Sequence, residues 1–209
     1  MTDDISSFSS ETFKAIENRR AVKHFDENHH FTDKEIEKFL SLAVLSPTSF
    51  NIQNWRFLVV KDHETRKKIR EASWDQVQVT KSSLLLILCA DLKAWEQEPR
   101  RYWKNASKEM RDFLIPAIEE FYKGDEQLQR DEAIRSIGIA SQTLMLAAKS
   151  AGFDSCPMIG FDSQKVAELI NLPQNYIIGM MLAIGKAKSP ASPRGGQLSL
   201  DEVVFTDRF

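Results

Sequence analysis

Apolar residues recur along this chain at two spacings, one typical of helices and the other typical of buried strands. Helical spacing predicts a first helix over residues 9–18, with Phe13 and Ile16 turned inward. A second helix, over residues 33–45, begins with a capping box. The longest helix is predicted over residues 131–151, so helices are expected to form much of the fold.

Three segments predict strands. Residues 84–90 and 176–184 are apolar on both faces, as in strands at the middle of a sheet, and residues 55–60 follow a polar loop. Because three strands make a small sheet, we expect a fourth or fifth from the C-terminal tail, through exchange between subunits. Residues 154–160 predict a short turn, and residues 91–130 predict one or two helices that leave the core. The predicted class is α+β.

Length and composition favour one domain over residues 1–209. The chain has 28 Lys and Arg against 30 Asp and Glu, which argues against a dedicated nucleic-acid-binding protein, since such proteins carry a basic excess. Its longest apolar run, residues 84–90, is far shorter than the about 20 residues of a membrane-spanning helix. The N-terminus lacks a signal-peptide pattern and the two cysteines give no disulfide framework, so a cytoplasmic protein is expected.

Motifs for catalysis by the protein alone are absent from the sequence. The chain contains no GxGxxG after a predicted strand, no GxxxxGK(S/T) phosphate loop and no GxSxG elbow. Its four histidines lack a metal-binding spacing, so no metal site is predicted, and Cys89 lies inside an apolar strand. If the protein is an enzyme, a bound cofactor is expected to carry the reaction.

Three segments have a composition suited to an anionic, aromatic ligand. Residues 19–23 carry three cations in five positions, and Arg side chains bind phosphate through paired hydrogen bonds. Residues 46–55 offer hydroxyl and amide groups followed by a tryptophan, and residues 156–160 form a turn with exposed backbone N–H groups. Taken singly, the first segment also fits a solvated helix end, and the second fits an ordinary helix-to-strand connection.

Together and in this order, these segments resemble the FMN-dependent nitroreductase family, from about residue 13 to about residue 205. Two further matches are the WDQVQV segment before the strand at residue 84 and Arg194 near the C-terminus. The resemblance implies an α+β homodimer with a central, mostly antiparallel sheet flanked by helices. It also implies FMN at the subunit interface and a C-terminal tail, residues 186–209, that wraps around the partner.

The resemblance also assigns cofactor contacts within these segments. The residues that it places around FMN are Arg19, Arg20, Ala21, Lys23, Pro47, Thr48, Ser49, Asn51, Gln53, Asp75, Gln78, Pro157, Met158, Ile159, Gly160 and Arg194. By this resemblance, the cations contact the phosphate and the isoalloxazine edge. Thr48, Ser49 and Asn51 are expected to come from the other subunit, with Gln53 nearby. Asp75 and Gln78 touch the ribityl chain and the ring. The backbone of Ile159 and Gly160 lies beside flavin N5, the atom that accepts and gives hydride.

Several positions depart from the family pattern. Ala21 stands where the family usually has a serine, Asn54 where it usually has a proline, and Ile159 where some members have a glutamate. Arg194 is the one cation that remains of a basic pair found in some tails. Ala21 removes one hydroxyl contact, and Ile159 leaves the space over the flavin more apolar and uncharged. The changes leave the cofactor site in place and bear on substrate preference.

The implied activity is a flavin oxidoreduction in two half-reactions at one site. NADH or NADPH passes hydride to flavin N5, and a planar acceptor such as a nitroaromatic or a quinone then takes it. No residue is assigned as a proton donor. Phe121 and Tyr122 are assigned to a roof over the flavin ring, although packing in the protein core would also account for these two aromatic side chains. Alternatives are a reductase or dehalogenase of another acceptor, a low-turnover flavin-binding or sensor protein, and a structural dimer without flavin.

Overall fold

A four-stranded antiparallel sheet lies at the centre of the molecule, with the strands in the order β1-β2-β4-β3. The computed structural model describes residues 10–209, so residue 9 of the first predicted helix lies outside the described residues. The strands are β1 (Trp55–Val59), β2 (Leu84–Asp91), β3 (Asp154–Met158) and β4 (Tyr176–Gly185). The helices are α1 (Glu11–Asn18), α2 (Asp33–Ala43), α3 (His63–Glu71), α4 (Gln78–Lys81), α5 (Lys108–Tyr122), α6 (Glu126–Ser150), α7 (Ser163–Leu169) and α8 (Leu200–Val203). The fold is the predicted α+β class.

Different helices cover the two faces of the sheet, because alternate side chains of β2 point in opposite directions. Leu84, Leu86 and Leu88 pack on one side with Ile137 and Leu144 of α6. The β2 side chains between them pack on the other side with residues of α3, α4 and α7. Every residue of β2 is buried, which confirms the prediction of a strand in the middle of the sheet.

The capping groups of two long helices explain where those helices begin. At α2 the Thr32 hydroxyl accepts from the Glu35 N–H at 3.3 Å, and the Glu35 carboxylate accepts from the Thr32 N–H at 2.7 Å, which confirms the capping box. Helix α6 begins at Glu126, earlier than predicted, because Asp125 accepts from the Leu128 N–H at 2.8 Å and so caps it. Among the described residues, no helix is both long enough and apolar enough to cross a membrane.

Helix α1 buries a different residue from those predicted. It lies against α6 and buries Ala15, whereas Phe13 and Ile16 are 39% and 46% exposed. Phe13 and Ile16 are three positions apart and share one helix face, while Ala15 lies on another. The prediction that the two large side chains point inward is therefore wrong within the single chain.

The fourth strand is β3, at the edge of the sheet. Residues 154–158 pair with β4, so the prediction of a turn there is wrong. Pro157 has no N–H to donate, and an edge strand tolerates this because its outer side needs no continuous ladder. Beyond residue 188 the tail contributes no strand within the described chain; it contains the short helix α8, and its exchange between subunits stays a prediction.

The segment between β2 and α6 builds a small core of its own. After two short 3₁₀ turns, Ala94–Glu96 and Pro99–Trp103, it continues as α5. Trp95, Ile118 and Tyr122 are buried together with Ile52 from the polar loop before β1. Residues 92–125, which we call the excursion, therefore hold one α-helix and two short 3₁₀ turns, and they pack against the polar loop before β1. Residues 126–130 of the predicted segment belong to α6.

Gly179 of β4 lies at a break in the strand register, and we expect its replacement by alanine to destabilise the fold. The pairing with β2 shifts there, and an added Cβ would lie 2.6 Å from Cδ1 and 2.7 Å from Cγ2 of Ile137. Gly179→Ala should lower the free energy of unfolding by about 1–3 kcal/mol through overpacking, as measured by urea denaturation. Adding Ile137→Val, which removes the Cδ1 methyl, should recover part of the loss. A Gly179→Ala protein as stable as wild type would contradict this account.

Candidate functional site

The cationic segment, residues 19–23, runs beside the edge strand β3. The Val22 N–H donates to the Ser155 backbone oxygen at 3.0 Å, and Ala21 forms an isolated parallel bridge with Ser155. Val22 is buried, whereas the three cations of the segment are exposed or partly exposed. The backbone is therefore anchored to the sheet while its charged side chains stay accessible.

A cation from the tail joins this segment at the end of α1. Arg20 Nη1 and Arg194 Nη2 both donate to the Glu17 backbone oxygen, at 2.6 and 3.1 Å. The last carbonyls of a helix carry partial negative charge, which favours cations there. We refer to Arg19, Arg20, Lys23 and Arg194 as the cationic group.

No carboxylate neutralises the cationic group within residues 10–209. None of its four side chains forms an ion pair there, and the side chains of Arg19 and Lys23 form no hydrogen bond within these residues either. Accessible cations without a counter-charge suit an anionic ligand, and two arginines can grip a phosphate through paired hydrogen bonds. Binding of FMN phosphate by this group stays a prediction.

The WDQVQV segment lies against the turn that follows β3. Gln76 Nε2 donates to the Gly160 backbone oxygen at 2.7 Å, and Gln78 Nε2 donates to Gln76 Oε1 at 2.9 Å. Gln78 is buried, and its Nε2 also lies 3.8 Å from Cys156 Sγ. The structure thus brings Gln78 to residues 156–160, and it adds Gln76, which sequence reasoning missed.

Asp75 lies in the same segment, but its carboxylate faces a different neighbour. Asp75 Oδ1 is 2.8 Å from Arg70 Nε of α3, and the side chain is largely exposed. Its neighbour Trp74 instead packs against Gly160. The local sequence does not indicate which of these two adjacent side chains faces the turn at Gly160, because the backbone conformation decides it.

Two of the predicted segments contain most of the strained backbone. Eight residues other than glycine have a positive φ in the described chain, and five of them are Phe50, Asn51, Gln53, Trp74 and Asp75. Residues other than glycine pay an energetic cost in this region, and such strain concentrates at functional sites. The location of this strain supports a functional role for both segments.

The polar loop forms a second group, apart from the cationic group. Asn51 Nδ2 donates to the Tyr102 backbone oxygen at 2.8 Å, and the Gln53 N–H donates to Thr48 Oγ1 at 3.0 Å. In the part of the chain that the structure describes, no hydrogen bond joins Pro47, Thr48, Ser49, Asn51 or Gln53 to the cationic group or to residues 156–160. Within the described chain, hydrogen bonds therefore do not join the polar loop to the other predicted site residues.

Tyr122 belongs to the core, whereas its neighbour Phe121 reaches the surface. Tyr122 is 1% exposed, and its ring stacks with Trp95 at a centroid distance of 6.3 Å. Burial raises the pKa of its hydroxyl. The assignment of Tyr122 to a roof over a ligand is therefore wrong within this chain, since its side chain is enclosed. Phe121 is exposed, and its ring centroid lies 5.2 Å from that of Phe50.

The two cysteines are buried and free. Burial raises the pKa of the Cys89 thiol to about 12. Burial also raises the pKa of Cys156, although Lys23 and Gln78 act in the opposite direction. A thiol that stays protonated is a poor nucleophile, so neither cysteine has the properties of a catalytic one.

Comparison with known proteins gives the same family as the sequence motifs. The model of the nitroreductase family matches residues 16–186. Protein DrgA of Synechocystis is 56% identical over 181 residues, covering 87% of this chain and 86% of that protein. The oxygen-insensitive NADPH nitroreductase of Helicobacter pylori is 28% identical over 200 residues, covering 91% and 94%.

Solved structures agree with these sequence matches. A Bacillus subtilis protein, ydfN, provisionally named a nitroreductase, superposes with a TM-score of 0.88 at 31% identity, covering 93% of this chain and 98% of that one. A provisionally named nitroreductase from Exiguobacterium sibiricum, solved in complex with FMN, gives a TM-score of 0.87 at 29% identity, covering 94% and 97%. The chain belongs to the nitroreductase family, a family of oxidoreductase enzymes.

Proposed function

We propose that the protein is a homodimeric, FMN-dependent oxidoreductase. It takes hydride from NADH or NADPH and passes it to a planar electron acceptor such as a nitroaromatic or a quinone. The observation that carries the proposal is the cationic group, whose four side chains have no carboxylate partner among residues 10–209. Three of its members lie in residues 19–23, which run beside β3, the strand that leads into the turn at Gly160. The relative solved with FMN supports the choice of cofactor.

The residues present fit FMN. Its phosphate is a dianion that Arg19, Arg20 and Arg194 would hold. Arg194 Nη2 donates to the Ile16 and Glu17 backbone oxygens, which keeps that side chain at the end of α1. Lys23 would lie at the ring edge, where a positive charge favours the reduced flavin. The Gly160 N–H has no hydrogen-bond partner among the described residues and would donate to the ring.

The polar loop would complete the site from the partner subunit. Among the described residues, no hydrogen bond joins residues 47–53 to the cationic group of their own chain, which leaves the loop available to a site formed with a second chain. Large apolar side chains are exposed at Leu45, on α5 at Phe113 and on α6 at Ile139. A dimer interface could bury these side chains, which would stabilise it.

Bound FMN would supply the hydride-accepting atom, and the residues of the chain bind, orient and enclose it. Ile159 and Trp74 are 79% and 75% exposed beside the Gly160 turn, and they offer an apolar surface to a stacked acceptor. Phe121 packs against Phe50 of the polar loop. If the partner subunit supplies that loop, its Phe121 side chain would line the space for the acceptor. An apolar space of this kind favours uncharged planar acceptors over anionic ones.

The test is an absorbance spectrum of the purified protein before and after anaerobic addition of NADH and then NADPH. We expect a yellow protein that is bleached by at least one nucleotide and regains colour with a nitroaromatic or a quinone. Arg19→Gln combined with Arg20→Gln should weaken FMN binding at least about 100-fold, since each charge-assisted hydrogen bond contributes about 1.5–3 kcal/mol. Lys14→Gln, at an exposed residue of α1 paired with Glu11, is the control and should bind FMN as wild type does.

Two other outcomes have clear meanings. A yellow protein that neither nucleotide bleaches would move the assignment to a flavin-binding or sensor role. A protein that is colourless and stays so with excess FMN would overturn the cofactor assignment.

A further inference from the structure

The turn after β3 carries a free backbone donor. The Gly160 N–H has no hydrogen-bond partner among residues 10–209, whereas the next N–H, of Phe161, donates to the Ile159 oxygen at 3.2 Å. Most backbone N–H groups in a folded protein are paired, so a free one in a partly exposed turn is available to a ligand. Its usefulness depends on whether the peptide is fixed in place.

Gln76 fixes Gly160 from one side. Its Nε2 donates to the Gly160 oxygen at 2.7 Å, between residues 84 positions apart. Gln78 sets the orientation of that amide, because Gln78 Nε2 donates to Gln76 Oε1 at 2.9 Å and leaves Gln76 Nε2 to face the glycine. Gln78 is itself buried against Cys156, so the pair of amides is anchored in the core.

Trp74 closes another side of the same glycine. A Cβ on Gly160 would lie 2.5 Å from Cζ3 and 3.1 Å from Cε3 of the Trp74 indole, so the ring packs directly on the glycine backbone. Trp74 and Asp75 both have left-handed backbone, with φ of 51° and 56°. This conformation is costly for residues other than glycine, and here it brings the indole and the Gln76 amide to one point.

We propose that Gln76 is a positioning residue of the flavin site: oriented by Gln78, its amide holds Gly160 so that the free Gly160 N–H stays fixed as a donor to bound FMN. The inference rests on the proposed function. A donor that is already in place when the ring binds needs no reorganisation during the reaction, and this is the main source of electrostatic catalysis by backbone amides.

The test compares Gln76→Met with wild type, because methionine keeps the length of the side chain and removes the donor. At saturating FMN and without oxygen, the rate of flavin bleaching by the preferred nucleotide should fall about 10- to 100-fold. The nucleotide concentration that gives half the maximal rate should stay unchanged. In protein labelled with ¹⁵N at its eight glycines, the Gly160 amide signal should shift both without and with FMN.

Two further variants separate positioning from a general structural role. Gln78→Leu should slow bleaching in the same direction, and it should add nothing to Gln76→Met, because Gln78 acts through Gln76. Gln164→Met is the matched control: Gln164 is exposed on α7, is bonded to Glu168, and should give wild-type rates and signals.

The outcomes distinguish this inference from the function on which it rests. If wild type neither binds FMN nor is bleached, the proposed function is overturned and the inference falls with it. If wild type is bleached and Gln76→Met matches it, only the inference is overturned. A slower Gln76→Met with an unmoved Gly160 signal also overturns it, since Gln76 would then act on the flavin directly.

Discussion

A chain shortened to residues 1–196 is expected to dimerise at least about 100-fold more weakly than the full chain, because it lacks the apolar end of the tail. Val203, Val204 and Phe205 are each more than half exposed in the single chain. Burying side chains of this kind stabilises an interface by about 1.5–3 kcal/mol each, and 1.4 kcal/mol is a tenfold change in the dissociation constant. Sedimentation equilibrium over a range of concentrations measures the effect.

A second truncation serves as the control for this experiment. Removal of residues 206–209 alone keeps the three apolar side chains and should leave dimerisation close to that of the full chain. The shortened chain also retains Arg194, so a loss of FMN on shortening would follow from the lost partner and not from a lost cation. A dimer of unchanged affinity in the 1–196 chain would show that the tail does not cover the partner.

Asp91→Ala is expected to lower the free energy of unfolding by about 3 kcal/mol, at the low end of the range for a broken buried pair because Arg56 is partly exposed. Asp91 is 1% exposed at the end of β2. Its Oδ1 accepts from the Lys93 N–H at 2.9 Å and from Asn175 Nδ2 at 2.7 Å. Its Oδ2 accepts from Arg56 Nη2 at 3.2 Å and from Gln97 Nε2 at 3.0 Å.

The loss should be large because one carboxylate joins β1, the start of β4 and the excursion. Asp91→Asn, which keeps the shape and part of the hydrogen bonding, should cost less, about 1–2 kcal/mol. Urea denaturation of the flavin-free protein measures both variants. A loss below about 1 kcal/mol for Asp91→Ala would mean that water or a rearranged Arg56 replaces the carboxylate.

The sequence predicted the elements that carry a strong local signal. Strand β2 up to Ala90 and strand β4 are runs of apolar residues, and the capping box of α2 lies within four residues, so each was found from neighbouring residues alone. Strand β3 was missed because DSCPM mixes polar residues with a proline, and only its partner β4 makes it a strand. The inward face of α1 was missed because packing against α6 selected Ala15 over two larger side chains.

The site shows the same division between local and long-range signals. Cations, hydroxyl groups and amides at characteristic positions identified the segments. The hydrogen bond from Gln76 Nε2 to the Gly160 oxygen joins residues far apart in sequence, so no local sequence pattern predicts it. Phe121 and Tyr122 are adjacent, and only the packing of the excursion decides that the first is exposed and the second enclosed.

The pairing of β2 with β4 has a consequence for how the chain folds as it is made. The middle of the sheet is formed by strands that end at Asp91 and Gly185, about 90 residues apart. At about 5–20 residues per second, the ribosome needs several seconds to deliver β4 after β2. During that time β2, whose residues 84–90 are all apolar, lacks its neighbour β4, and exposed apolar strands of this kind associate with other chains. We therefore expect a chaperone to bind residues 84–91 of the nascent chain before β4 is made, which would prevent this association.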